Sequence, residues 1–191
     1  MKVFFDIDGV LTPKQNAVKI NTVVNDESIR NAIINADPSP RGFALLNYMI
    51  EFLTILYGSV ENAVKHIFFP TGRKKSEYEV CTRELFGKGF FNIRKLKGLG
   101  LQYKLAQRTI NLLMDQIIWY PEEKEHTQAI YFETKYDMIN QIVQTENEVN
   151  LYFEDDQTLI NYISDNALEE AIASHFNNIK MRDMEIHQFD G

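Results

Sequence analysis

Residues 2–12 read KVFFDIDGVLT, a short apolar run that ends in two carboxylates one residue apart and then a glycine. Val3, Phe4 and Phe5 are too few for a helix and suit a strand buried on both faces. Asp6 and Asp8 then fall at the carboxyl end of that strand, the end at which open α/β sheets receive their ligands. Side chains two apart on a strand share a face, so both carboxylates can point into one site. Held that close they repel, unless one keeps a proton or a cation lies between them. A hard divalent cation with oxygen ligands resolves the conflict, and Mg²⁺ characteristically takes one or two carboxylates together with waters and substrate phosphate.

Composition bounds what such a strand can belong to. A chain of 191 residues fits one domain, residues 1–191, with modest insertions and a proper core. A hydrophobic content of 45% with 12% aromatics describes a globular protein and excludes wholesale disorder. The single cysteine, Cys81, rules out an intramolecular disulfide framework and agrees with a reducing, cytoplasmic setting. Asp6 interrupts the first apolar run too early for a signal peptide, and the longest later run, 43–57, is broken by Asn47 and Glu51, so no membrane span is expected. A net charge of −7 argues against broad nucleic-acid binding. The charge is unevenly spread, since residues 73–98 hold eight basic and three acidic side chains, a net of +5 that leaves −12 elsewhere.

Downstream of the first strand, 12–42 reads as a small insertion over the site: VKINTVV suits a strand, a helix can start at Asn25-Asp26-Glu27, and 37–42 is turn. Leu45, Leu46, Met49, Phe52, Leu53 and Leu56 recur at helical spacing through 43–57, with Gly58 as a stop. A second buried strand is expected over 63–69, ending at Pro70-Thr71-Gly72-Arg73. Strand, helix, strand in that order implies parallel neighbours and brings Thr71 beside Asp6. A hydroxyl, the Gly72 amide and a helix N-terminus near Lys75 together favour an anion, although a strand-to-helix turn needing only a glycine and a cap reads the same way. The following helix should end at Gly87-Lys88-Gly89, with a strand over 90–96. Residues 97–128 read as a helical insertion, amphipathic through Leu101, Leu105, Ile110, Leu113, Ile117 and Ile118 and closed by Pro121. After 129–132, Glu133-Thr134-Lys135 heads another helix. The apolar stretch 149–153 is a strand ending at Glu154-Asp155-Asp156, where the aspartates are either site ligands or a helix cap. A helix over 159–176 and a strand over 184–189 complete the chain.

Taken in order, DxDGVLT at Asp6, Thr71-Gly72 after an apolar strand, Lys135 at a helix start and Asp155-Asp156 after another strand resemble the four motifs of the haloacid dehalogenase (HAD) superfamily. The resemblance runs across nearly the whole chain. It implies a doubly wound, mostly parallel α/β sheet of Rossmann-like type with small cap insertions. It also implies a Mg²⁺-dependent phosphomonoesterase in which Asp6 attacks phosphorus to give an aspartyl-phosphate and Asp8 serves as general acid and base. Thr71, Gly72 and Lys135 would hold the phosphoryl group, and Asp6, the Asp8 carbonyl and Asp155 or Asp156 the metal. Asp8 two residues beyond the nucleophile marks the phosphatases of the superfamily, as distinct from its dehalogenases.

A looser resemblance, through GRKKSEYEVCTRELF and the Asp-Asp pair, is to the 3′-phosphatases of phage polynucleotide kinases. It implies a nucleotide or nucleic-acid 3′-phosphate as substrate, with Arg73, Lys74, Lys75 and Arg83 binding further phosphates; the alternative is that these four form ordinary solvated helix surface. A small metabolite such as a sugar phosphate is the second expectation for the substrate. A catalytically idle binding module on the same fold is the third reading, opposed by the intact Asp6, Asp8, Lys135 and Asp155-Asp156.

Overall fold

Strand β1 (Lys2–Phe5) lies at the centre of a five-stranded sheet, and Val3, Phe4 and Phe5 are fully buried. The computed structural model describes residues 1–14, 35–96, 103–143, 148–173 and 184–191. Its elements in chain order are β1, α1 (Pro40–Tyr57), α2 (Val60–Val64), β2 (Ile67–Lys74), α3 (Lys75–Leu96), α4 (Tyr103–Met114), β3 (Ile117–Tyr120), α5 (Gln128–Asn140), β4 (Asn150–Glu154), α6 (Gln157–Ala173) and β5 (Met184–Gln188). The strands pair in the order β3-β2-β1-β4-β5, every pair parallel.

Alternation along β1 sorts the core into two layers. Val3 and Phe5 face an apolar cluster built from α1, α2, α3 and α4, while Phe4 faces a second cluster from α5 and α6. The protein is therefore α/β, with helices on both faces of an all-parallel sheet, a Rossmann-like arrangement. From β1 the chain runs outward through β2 to β3, then crosses back to the other side of β1 for β4 and β5. The crevice at the carboxyl ends of β1 and β4, where the direction of winding reverses, is the expected ligand position of such a sheet.

Several expected boundaries are corrected. The second strand begins at Ile67, because residues 60–64 form the short helix α2, and it continues through Thr71 and Gly72 to Lys74. Its pairing with β3 is irregular between Pro70 and Lys74, where a proline without an amide hydrogen cannot complete the ladder. Residues 117–120 are not the end of an amphipathic helix; Ile-Ile-Trp-Tyr is strand β3, so α4 and β3 are a helix–strand unit of the main sheet rather than a helical insertion. The apolar period of α4, Ile110 and Leu113, lands on Ile117 by coincidence, and the β-branched and aromatic residues of the run take the extended form. Residues 129–132 lie inside α5, which places Lys135 eighth in that helix, not at its head. The strand and helix expected over 18–36, and residues 97–102, lie almost wholly outside the described residues.

Helix α3 passes unbroken through Gly87-Lys88-Gly89, and no strand forms over 90–96. Gly89 is there for contact: a Cβ on it would stand 2.4 Å from the Phe43 ring, which packs edge-on to Phe86 and Phe90 at 5.9 and 5.6 Å. Gly87 has no neighbour within 4 Å of the same position. The two glycines should thus respond oppositely to alanine. Gly87→Ala should stabilise the protein by about 0.5–1 kcal/mol through helix propensity, whereas Gly89→Ala should destabilise it by about 1–3 kcal/mol through overpacking. Urea denaturation of the two variants measures both; equal shifts of one sign would contradict the packing account.

Candidate active site

The loop after β1 is shaped by its own backbone. Asp6 donates its amide to Phe153 O on β4 (2.9 Å), and Leu11 and Thr12 both donate to Ile7 O (2.9 and 3.1 Å), folding DGVLT into a tight turn. Gly9 sits in that turn at φ 84°, a left-handed conformation that suits glycine, and a Cβ there would stand 2.3 Å from the Asp155 carboxylate. The glycine therefore serves the turn and also lets the loop close on the end of β4. Ser39 fastens the same loop to α1, donating its amide to Leu11 O (2.7 Å) while its hydroxyl caps the Gly42 amide (3.0 Å).

Inside the turn the Asp6 carboxylate is buried and meets Lys135. The Lys135 ammonium, with no exposed surface, donates to Asp6 Oδ1 at 2.5 Å and to Pro70 O at 2.6 Å, and lies 3.7 Å from Glu154 Oε2. One cation thus joins the residue after β1, the middle of β2 and the end of β4. Burial alone would lower the Lys135 pKa, but the surrounding anions, Asp6 foremost, hold it well above its ordinary value.

Glu154, read in the sequence only as part of an acidic run, is a central member of the cluster. Its Oε1 accepts the amides of Asp155 and Asp156 (3.0 and 3.2 Å), and its Oε2 accepts the Tyr152 hydroxyl. Carboxylate oxygens of Asp6, Glu154 and Asp155 all lie within 4.8 Å of one another. Three carboxylates against two ammonium groups, the buried Lys135 and the exposed Lys14, leave the cluster short of positive charge. Burial and the neighbouring Glu154 accordingly push Asp6 well above the usual carboxylate range and Asp155 up to about 6. A divalent cation with oxygen ligands fits this donor set, which contains neither His nor Cys.

Asp156 takes the second of its two expected roles. Its Oδ1 accepts the amides of Thr158 (2.9 Å) and Leu159 (3.4 Å), so it is the N-cap of α6, and the carboxylate cluster is completed by Glu154 instead. The Asp8 side chain also stands apart from that cluster. It is about half exposed (51%) and is gripped by Arg73, whose Nε lies 3.0 Å from Oδ2 and whose Nη2 lies 2.7 Å from Oδ1.

The four basic candidates do not share a surface. Arg73 is buried (2% exposed), with Nη1 donating to Thr82 on α3 (2.9 Å); desolvation opposes its charge, but Asp8 keeps its pKa raised. Because β2 runs on to Lys74, Arg73 points inward from a strand and not outward from a helix. Lys74 donates to the Glu122 carbonyl (2.8 Å), Arg83 donates to Asn111 on α4 (2.7 Å), and Lys75 is exposed.

A cavity of about 440 Å³ opens above the cluster. Asp6, Asp8, Glu154, Asp155 and Asp156 line it, and Lys14 is the one cationic side chain among its lining residues. Lys14 lies 3.5 Å from Asp155 Oδ2 and 2.9 Å from Asp190 Oδ1. Thr71 and Gly72 are not part of the lining: the Thr71 hydroxyl accepts the Arg73 amide (3.1 Å), and the ring of Tyr131, which does line the cavity, stands over Gly72. Tyr131 had no signal in the sequence except its place one helical turn before Lys135, on the same face of α5.

The raised pKa of Asp155 has a consequence for stability. The folded chain binds this proton more tightly than the ordinary carboxylate value of 3.8 allows, so the stabilisation is present below pH 4 and is lost as pH rises through about 6. Without divalent cations, melting temperature should fall across that window by more in the wild type than in Asp155→Asn. Thermal melts of both proteins in chelator, from pH 4 to 7.5, test this, and parallel curves would refute it. Comparison of the chain with protein-family models, curated proteins and solved structures finds no match to any of them.

Proposed function

We propose that the protein is a divalent-metal-dependent phosphomonoesterase of HAD type, acting through an aspartyl-phosphate on a small phosphorylated compound. The observation that carries this reading is the buried Asp6–Lys135 pair set beside Glu154 and Asp155 at the reversal point of the sheet. Asp6 is an acceptor with one oxygen held by Lys135, which leaves Oδ2 to bond phosphorus as the ester P–O bond breaks. Asp8, at the cavity wall, gives a proton to the departing oxygen and then takes one from the water that attacks the same phosphorus, releasing phosphate and restoring the Asp6 carboxylate. Arg73 fixes the Asp8 carboxylate from the protein side. Lys135 offsets negative charge near Asp6 throughout. A bound Mg²⁺, held by Asp6, Asp155 and Glu154, would supply further charge neutralisation for the phosphoryl group.

Two observations favour a small ester over a nucleic-acid end. The cavity volume of about 440 Å³ suits a small molecule, and the candidate basic strip is dispersed, with Arg73 turned onto Asp8 and Arg83 onto Asn111. A sugar phosphate or a mononucleotide satisfies both. Tracking a polynucleotide backbone would require a row of free cations.

Mg²⁺ should raise the melting temperature at pH 7.5, and this gain should shrink strongly in Asp6→Asn and Asp155→Asn, a result independent of turnover. In a screen of small phosphate esters with Mg²⁺, Asp6→Asn should lower kcat by more than about 10³-fold while the fold persists. Chelator should abolish the activity, and Mg²⁺ should restore it. Wild-type turnover by Asp6→Asn would eliminate the covalent mechanism, and an idle protein that still binds phosphate would favour a binding module. Joint replacement of Lys74 and Lys75 by alanine should leave kcat/KM for a small ester within about twofold. A large rise in KM confined to 3′-phosphorylated oligonucleotides would return the nucleic-acid reading to first place.

A further inference from the structure

Helix α5 carries a polar side chain to the cavity one turn before the buried Lys135. Tyr131 lines the cavity with Asp6 and Asp8, and its ring centroid lies 5.9 Å from Lys135 Nζ. Its far edge lies over Gly72: a Cβ on that glycine would be 2.8 Å from Tyr131 Cε2 and 3.4 Å from the hydroxyl oxygen. The ring is held from behind by an aromatic group, with Tyr120 at 6.0 Å, His126 at 6.2 Å and Phe132 at 6.0 Å. That group is itself anchored, since His126 stacks on Tyr120 at 4.2 Å and meets Gly72 O at 2.7 Å, and Tyr120 donates to Glu125 O at 2.7 Å. The phenol thus has a fixed ring but a hydroxyl that no described residue engages as a hydrogen-bond partner.

We infer that the Tyr131 hydroxyl is a substrate-binding donor, directed at a non-bridging phosphoryl oxygen of the ester held over Asp6. Resting on the phosphomonoesterase reading, this assigns to Tyr131 the neutral donor role that the family resemblance implies for Thr71. The Thr71 hydroxyl is buried and accepts the Arg73 amide, and neither Thr71 nor Gly72 lines the cavity, so Thr71 is placed to support the strand end and not to meet a ligand. Among the cavity-lining side chains the ionised carboxylates only accept hydrogen bonds, Lys14 is engaged with Asp155 and Asp190, and the other neutral donors, Gln157 and Thr158 of α6 and Gln188 of β5, belong to elements other than α5. Tyr131 is the lining side chain whose ring stands against both Lys135 and Gly72, so a phosphoryl group over Asp6 meets it from the Lys135 side. A phenol donates one hydrogen bond without adding charge, so it orients the phosphoryl group and leaves charge neutralisation to Lys135 and the cation.

Tyr131→Phe removes the donor and keeps every ring contact. With the full chain in Mg²⁺, phenyl phosphate as substrate and inorganic phosphate as competitive inhibitor, the variant should show an inhibition constant for phosphate about tenfold or more above wild type, and a comparable fall in kcat/KM. Its melting temperature should match wild type, because a purely structural hydroxyl would move stability and leave phosphate affinity alone. Wild-type phosphate affinity and kcat/KM in Tyr131→Phe overturn the assignment. A wild-type protein that neither hydrolyses phosphate esters nor binds phosphate overturns the phosphomonoesterase reading, and the assignment with it.

Discussion

A buried ammonium is tolerated only where anions and carbonyls surround it, and this requirement governs the end of the sheet. Lys135 is fully enclosed and takes its partners from three strands: Asp6 after β1, Pro70 in β2 and Glu154 at the end of β4. Removing any one partner would leave a buried charge under-compensated, at a cost on the order of several kcal/mol. The pair does not neutralise the site, however. Burial, and then the neighbouring Glu154, raise the pKa values of Asp6 and Asp155, and Lys135 and Lys14 offset this only in part.

The readable parts of the chain were those where one residue type has few alternatives. Phe4 and Phe5 followed by an acidic pair can scarcely be anything except a buried strand running into a site, and β1 and the burial of Asp6 follow the sequence closely. The paired aspartates after β4 were placed correctly at a strand end, but the division of labour among the three adjacent carboxylates was not legible. Asp156 lies where α6 begins and is taken by two free amides, while Glu154 turns back to the amides after it and to Tyr152. Such a distribution depends on backbone direction at one residue, which composition and spacing do not encode.

Other misreadings have one cause, a local pattern overridden by tertiary contact. The glycines of Gly87-Lys88-Gly89 carry the signature of a helix end, yet one of them makes room for Phe43. The basic residues from Arg73 to Arg83 look like a single charged surface in one dimension, but the unexpected extension of β2 turns Arg73 inward to Asp8, and α4 captures Arg83. Charge clustering along a sequence therefore says little about charge clustering in space until the strand ends are known. Residues 121–127 make the same point in reverse. A charged stretch that reads only as the close of a helical insertion is pinned at several places, with Glu122 accepting from both the amide and the hydroxyl of Ser76, and Lys124 donating to Thr134.

The contact between Gly9 and Asp155 ties the site to the order in which the chain is completed. The loop that follows the first strand reaches its final shape only against a carboxylate nearly the whole chain away, and β4 must already lie beside β1 for that carboxylate to arrive. Contacts of such long sequence separation form late, because the loop they close is large. A partly folded chain can build β1, α1 and β2 and still lack the carboxylate cluster, so the clustering of Asp6, Glu154 and Asp155 reports on closure of the whole sheet and not on the motif that supplies its first carboxylate.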